Sequence, residues 1–355
     1  MTSSVVRPDA PAVEEIAGQP VVLRYGSLQS EYAALREGAV LVDRSHRMRM
    51  TFEGDRRADT LTGLVTNDVD ALAPGSGLYA AALTPRGKII ADVRVFARAT
   101  DLLIDVPVRA AAGWVAMIRK YVNPRTTRYV DRTTASADVA VVGPRARDVV
   151  ARLLSADPDS LALLPPYGHI VLPHAGSDVM IVRVPDAGAE GYELFIPETS
   201  RTSIWQGAID LGATPGGLEV WEVARVEAGR PEWGLDIDES TIPQEANLDA
   251  LHAISYTKGC YTGQETVARV HFRGHVNRHL RGLRFDTAQP AVRGAQLIDA
   301  TDKPVGDVRT SVRSPRLGGI ALAMVRREVE PGSSLRARWE GSDADVNVLA
   351  LPFPT

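Results

Sequence analysis

At 355 residues the chain is longer than one ordinary hydrophobic core organises, which points to two or three domains. Hydrophobic residues make up 45% and charged residues 24%, the balance of a globular protein, and a net charge of −4 gives no electrostatic case for nucleic acid or an anionic membrane as partner. No apolar run approaches the ~18–20 residues that span a bilayer. Residues 1–20 lack the apolar centre of a signal peptide, and a single cysteine suits a reducing compartment, so the expected location is the cytoplasm.

Residues 1–20 are expected to be a loose arm with at most a helical turn over 13–17. Tyr32 and Leu35, set among good helix formers, predict a helix over 30–37 that Gly38 ends. A short buried strand is expected over 39–43, and the polar–apolar alternation of 47–52 predicts a half-buried strand. A helix over 55–64 follows. Two apolar runs, 78–83 and 88–97, are joined by Thr84-Pro85-Arg86-Gly87, whose proline and glycine make a turn and hence a hairpin. Residues 102–106 read as a further strand, and 110–121 as an amphipathic helix with Trp114, Ile118 and Tyr121 on one face. Elements in this order make an α+β layer with mostly antiparallel pairing.

A second unit of similar grammar opens with a strand over 139–142, Gly143-Pro144 and a helix over 145–154. Strands over 169–172, 179–184 and 192–196 follow, with helices over 201–211 and 220–228. An acidic, loop-rich stretch then runs from Glu232 to Glu245, and residues 269–284 are strongly basic. From Gly282 to Pro352, short strands separated by Gly and Pro turns predict a small β-barrel or open sandwich.

His271, His275 and His279 recur every fourth residue, which on a helix would be a metal stripe, but Phe272, Val276 and Leu280 fit a strand or irregular segment as well. With no acidic residue among them, no metal site is expected, and one cysteine cannot hold an iron–sulfur cluster that takes about four thiolates. The basic segment 269–284 is either a solvated face or a dock for an anionic partner. The group Arg119, Lys120, Arg125 and Arg128 has the same two readings. Asp92 stands mid-strand in Ile89-Ile90-Ala91-Asp92-Val93, so it is either paired, with Arg94 or Arg86, or lines a pocket; Glu193 in Gly191-Tyr192-Glu193-Leu194-Phe195 poses the same choice. A carboxylate accepts two parallel hydrogen bonds from an amino group and a ring N–H, as a pterin or guanine edge offers them. No Walker loop, Rossmann glycine fingerprint or nucleophile-elbow serine is present.

The chain's single cysteine lies in Lys258-Gly259-Cys260-Tyr261-Thr262-Gly263-Gln264-Glu265. It is either a turn residue or a reactive thiol, for which a polar, glycine-flanked setting and an adjacent lysine favour the thiolate. This octet resembles the signature of the YgfZ-type folate-binding proteins, relatives of the T-protein (aminomethyltransferase) of the glycine cleavage system. The likeness runs from about Tyr32 to Val329. Residues 38–45 are similar to the family's opening strand, Thr66-Asn67-Asp68 to its TND turn, and Gly77-Leu78-Tyr79 with 87–92 to its central hairpin. Gly143-Pro144 resembles its helix start and Gly191-Tyr192-Glu193 a further strand. Residues 225–231 and Ile242-Pro243-Gln244-Glu245 resemble its R-x-E-x-G-x-P and IPQE segments.

The resemblance implies an α+β, T-protein-like arrangement of three domains. Two α+β units, residues 1–137 and 138–275, surround a central hole for tetrahydrofolate or a one-carbon derivative, and a small β-barrel spans 276–355. It assigns Asp92 to the carboxylate near the reactive folate nitrogens, Glu193 to the carboxylate that reads the pterin, and Tyr79 to the pocket wall. Trp221 falls at the folate site where aminomethyltransferases carry an arginine, and Ala91-Asp92 stands where they show two aspartates. Both departures count against aminomethyl transfer, which must place a folate amine against a lipoyl-bound group. The implied function is support of iron–sulfur enzyme assembly or repair, tRNA-methylthiolating enzymes included. A monomer would act on folate and iron–sulfur clients, not on nucleic acid or membrane, with Cys260 as thiol, Lys258 assisting and Asp92 near the folate. An aminomethyltransferase and a non-catalytic folate-binding regulatory module are the alternatives.

Overall fold

In the computed structural model, which describes residues 11–287 and 290–354, the chain passes repeatedly between two units. One takes in the chain up to His46, Thr133–Pro165 and His169–Ala224. The other takes in Arg47–Arg132, Pro166–Gly168 and the chain from Arg225 on.

The first unit is built on a six-stranded sheet in the order His169–His174, Ser177–Arg183, Gly191–Pro197, Ser136–Val142, Val40–Asp43, Thr214–Gly216. Only the last pair runs parallel. Strand alternation sends Leu41, Val139, Val141, Ile181, Tyr192 and Leu194 to one face, where helices Ala146–Leu154 and Arg201–Asp210 cover them with Val149, Val150, Ile204 and Ala208. The opposite face carries Val40, Val42, Ala140, Val182 and Glu193, and all of these are buried as well. The helix Leu28–Glu37, capped by Ser27 and ended at Gly38, lies where the sequence predicts one.

The expected loose arm is instead a hairpin over its described part, residues 1–10 lying outside the described residues. Ala12–Ile16 pairs antiparallel with Gln19–Arg24 through Ala17 and Gly18, whose φ values are 50° and 81°. Two consecutive left-handed residues make the turn whose twist suits a hairpin. Alanine at the first of them is an uncommon choice, and that hid the turn. A short helix, Pro158–Leu163, capped by Asp157, also went unread.

The second unit contains a five-stranded antiparallel sheet in the order Ser76–Leu83, Ile89–Ala97, Leu102–Val106, Met48–Glu53, Arg128–Asp131. Phe52, Ala80, Ala82, Ala91, Val93, Val95 and Ile104 pack on Trp114, Met117 and Ile118 of the helix Ala111–Tyr121. Tyr121, expected on that buried face, is 41% exposed: it is the helix's last residue, and Met117 fills the stripe in its place. The strand Met48–Glu53 corrects the half-buried expectation. Arg49 is fully buried, because both faces of this sheet are sealed and the arginines on the second face have partners there.

The same unit holds a closed barrel in the order Arg278–Phe285, Gly318–Arg326, Pro304–Ser314, Gln296–Ile298, Ser334–Trp339, Ser342–Leu349. Leu283, Leu297, Val308, Ala323, Val325, Val346 and Val348 fill its interior, so the closed barrel, not the open sandwich, is formed. Closure leaves no strand edge exposed to pairing. Part of the basic stretch, for which a helix and a strand or irregular segment are both open from the sequence, is the helix Gln264–Arg273. His271 therefore lies on a helix and His279 on a strand, and among the described residues no group of His, Cys, Asp and Glu could hold a metal. Among those residues no helix is long and apolar enough to cross a membrane.

Candidate functional site

Asp92 owes its position to strand alternation. In Ile89–Ala97 the residues Ala91, Val93 and Val95 face the core, which puts Asp92 and Arg94 on the other side of the sheet. That side is closed over, and Asp92 is 5% exposed. Its Oδ2 accepts a hydrogen bond from the Tyr79 hydroxyl at 3.3 Å, and its Oδ1 one from the Trp233 backbone N–H at 3.0 Å. Arg94, considered as its ion-pair partner, pairs with Asp105, whose Oδ2 it shares with Arg47 at 2.7 Å. Burial pushes the Asp92 carboxyl up to about 6, with Glu232 adding to the rise; the Arg47 guanidinium and the Trp233 N–H hold it from going higher. A buried carboxyl whose pKa is raised to about 6 is suited to taking up and returning a proton.

The donor from Trp233 is held by a pinned loop. Asp236 Oδ2 accepts from Arg225 Nη1 at 2.6 Å and from the Glu232 N–H at 3.0 Å, and Arg225 also donates to the Arg230 carbonyl. Both side chains of the Arg225–Asp236 pair are buried. The Trp233 indole donates to the Ile89 carbonyl at 3.1 Å, fixing the loop to the strand that carries Asp92. Glu232 meets Arg109 at 3.3 Å and Arg47 at 3.6 Å. Tyr79 in turn stacks on Tyr167, with centroids 6.3 Å apart. Sequence reasoning missed Arg47, Tyr167 and Trp233. The R-x-E-x-G-x-P segment and the acidic stretch after it were the available signals, but neither names the strand they meet.

In the other unit the strand Gly191–Pro197 sends Tyr192, Leu194 and Ile196 into the core and Glu193 to the opposite face. Glu193 is fully buried, with Arg44 Nε 3.7 Å from its Oε1. The Arg44 guanidinium lies over the Trp221 ring, 3.7 Å from its centroid. Trp221, on the helix Leu218–Glu227, is 2% exposed. Arg44 thus ties Glu193 to Trp221 through a charge pair on one side and a cation–π contact on the other.

The octet is an ordered turn with an exposed thiol. Cys260 is exposed, and a side chain at Gly259 would meet nothing within 4 Å. Gly263, at φ 83°, begins the helix Gln264–Arg273; a Cβ there would lie 2.5 Å from the Thr84 carbonyl oxygen, so only glycine lets the octet press against the 84–87 turn. Lys258 Nζ donates to the carbonyls of Thr62 and Val65, the latter at 2.7 Å, and sits 4.5 Å from the Tyr261 ring centroid. Burial lowers its pKa to about 8, against the opposing pull of Asp68 and Asp70. Two of its donors thus serve the carbonyl of Thr62, the last residue of the helix Arg57–Thr62, and that of Val65 just beyond it.

The structure therefore joins Asp92 with Tyr79, and Glu193 with Trp221, and sets Cys260 and Lys258 on a separate turn. A cavity of about 220 Å³ in the first unit is lined by Tyr25, Asp43, Ser45, His46 and Arg201 among others, and by none of these residues. Its charges satisfy one another, with Arg201 on Asp43 at 3.0 Å.

Residues 13–256 match the family described as the GCVT N-terminal domain, and residues 278–354 the glycine cleavage T-protein C-terminal barrel domain. An aminomethyltransferase from Saccharopolyspora erythraea is 30% identical over 346 residues, 96% of this chain and 93% of that protein. One from Nostoc sp. is 28% identical over 344 residues, 95% of this chain and 90% of its own. The crystal structure of glycine cleavage system aminomethyltransferase T from Bartonella henselae shares the fold with a TM-score of 0.88, at 22% identity, over 98% of this chain and 95% of that one. With its T-protein-like fold and closed C-terminal barrel, the chain belongs to the GCVT family of glycine cleavage T-protein relatives.

Proposed function

We propose that this chain is a YgfZ-type, tetrahydrofolate-binding protein that supports the assembly or repair of iron–sulfur enzymes, tRNA-methylthiolating ones included, with Cys260 as its working thiol. The observation that carries the reading is the octet: the chain's only cysteine is exposed on a turn that Lys258 and Gly263 hold in place, whereas a filler cysteine is buried. In this reading Lys258 positions the thiol by fastening the turn. The protein works as a cytoplasmic monomer, and its partners are folate and its protein clients.

This reading assigns two buried carboxylates, Asp92 and Glu193, to the folate. Asp92 accepts two hydrogen bonds here, and a carboxylate offers about four acceptor positions, so capacity remains for ligand N–H groups. Tetrahydrofolate, when bound, supplies amine nitrogens that carry a one-carbon unit. Asp92 would hold or move a proton at its carboxyl oxygens, with Tyr79 as an aromatic wall in the same unit; in the other unit Glu193, oriented by Arg44, is the carboxylate that the resemblance assigns to a pterin edge. The test is the activity of a [4Fe–4S] tRNA methylthiolase in cells lacking this gene, restored with wild type or with Cys260→Ala. Rescue by wild type alone is expected; equal rescue by Cys260→Ala removes the thiol role.

A second reading, aminomethyl transfer, is favoured by relatives of that name over nearly the whole chain and by a carboxyl poised near pH 6. It predicts ammonia release that depends on both folate and an aminomethyl-lipoyl carrier. Silence in that assay rejects it.

A further inference from the structure

The helix Gln264–Arg273 takes its first two residues from the octet, and its one buried residue is Val267. The rest of the helix is turned outward or partly so. Phe272 is 66% exposed, beside exposed Arg269, His271, Arg273 and His275, and the helix has a single acidic residue, Glu265. Neither Arg269 nor Arg273 forms an ion pair among the described residues.

Phe272 is not a stray apolar side chain. Tyr256 and His271 stack face to face, with centroids 3.7 Å apart and planes at 16°, and Phe272 stands edge-on to both, at 74° and 83°. Three rings thus make a braced platform with Phe272 as its outer knob. The platform is continuous with the thiol turn along the chain, because the helix that carries His271 and Phe272 begins with Gln264 and Glu265 of the octet. Single exposed hydrophobic residues need no explanation. An aromatic knob braced by two other rings, with two unpaired arginines on the same helix, has the composition of a binding hot spot.

The geometry points to a docking surface for an acidic polypeptide segment with interspersed apolar side chains, which grips Phe272 while its carboxylates meet Arg269 and Arg273. This builds on the proposed reading, since it gives the face that brings a protein client to Cys260. Charge selects an acidic occupant: the helix carries unpaired Arg269 and Arg273 against one acid, Glu265, on a chain of net charge −4, and Asp249 is the further carboxylate that acts on Tyr256. Shape selects a polypeptide over a single-stranded nucleic acid. Bases stack on open ring faces, whereas Tyr256 and His271 cover each other and Phe272 presents a knob that fits between side chains.

The test titrates the full-length protein with a fluorescently labelled random copolymer of glutamate and tyrosine, beside polyglutamate and oligouridylate. The copolymer is expected to bind more tightly than either, and less tightly as salt rises. Arg269→Ala/Arg273→Ala and, separately, Phe272→Ala are each expected to weaken it about tenfold. Both alter exposed side chains, and an unchanged thermal midpoint verifies the fold. No binding by wild type, binding unaffected by either variant, or oligouridylate binding as tight as the copolymer overturns the inference. The assay involves neither folate nor Cys260, so its failure is separate from failure of the cellular rescue.

Discussion

Asp92 and Cys260 belong to the same compact unit and live under opposite conditions. Asp92 is sealed beneath a sheet face, held by a tyrosine hydroxyl and a backbone N–H, and titrates near 6. Cys260 is exposed, on a turn whose neighbours are fixed while its own side chain is not enclosed. The contrast separates two kinds of chemistry. Burial makes a proton-handling group, because removing water penalises the charged form. Exposure makes a group that a second macromolecule can reach. Aminomethyl transfer needs the first; service to protein clients needs the second.

The largest expected effect tests what holds the buried side. Arg225→Ala leaves Asp236 as an unpaired buried carboxylate and frees the loop that presents the Trp233 N–H. Breaking such a pair costs about 3–5 kcal/mol, and urea unfolding of the variant should show a loss of that size. Retention of full stability would mean that Asp92's donor is fixed by other contacts.

Asp92→Asn is expected to act in the other direction. The folded carboxyl titrates near 6 against an ordinary 3.8, so between those values the native state binds more protons than the unfolded chain. Stability therefore falls as pH rises through that window, and the full penalty is present above it. The asparagine variant should be more stable than wild type by roughly 2–3 kcal/mol at pH 8 and about equal to it at pH 3.5. A pH-independent difference would contradict the assignment.

Lys258→Ala is expected to cost about 1–3 kcal/mol, by leaving the carbonyls of Thr62 and Val65 without their donor. It should also raise hydrogen exchange in the octet. If activity falls with no change in exchange, Lys258 serves the thiol directly. The smallest effect on stability is expected from Cys260→Ala, within about 0.5 kcal/mol of wild type, as for an exposed site without special contacts. Its cellular effect should be the greatest of the four. That inversion, little stability and all the function, is the signature expected of the exposed site and not of the buried one.

Much of the fold was legible in the sequence. Pro85 and Gly87 marked the hairpin, Gly38 the end of the first helix, and the short strands after Gly282 the β-domain, because turn geometry and side-chain period are local properties of the chain. Asp92 and Glu193 were conspicuous as carboxylates inside apolar runs, and the octet as the setting of a lone cysteine.

Which face of a strand is sealed, and by what, was decided only in three dimensions. The alternation of residues 47–52 suggested one wet face, yet Arg49 is fully buried. The Trp233 N–H on Asp92 comes from 141 residues away, and the Arg47 guanidinium on Asp105 from 58. Even Lys258, two residues before the octet cysteine, turns to carbonyls nearly two hundred positions earlier. Local propensity records a residue's own backbone preferences, whereas a buried charge is stable only beside the partner that tertiary packing delivers, and the pKa of Asp92 is set by that delivery.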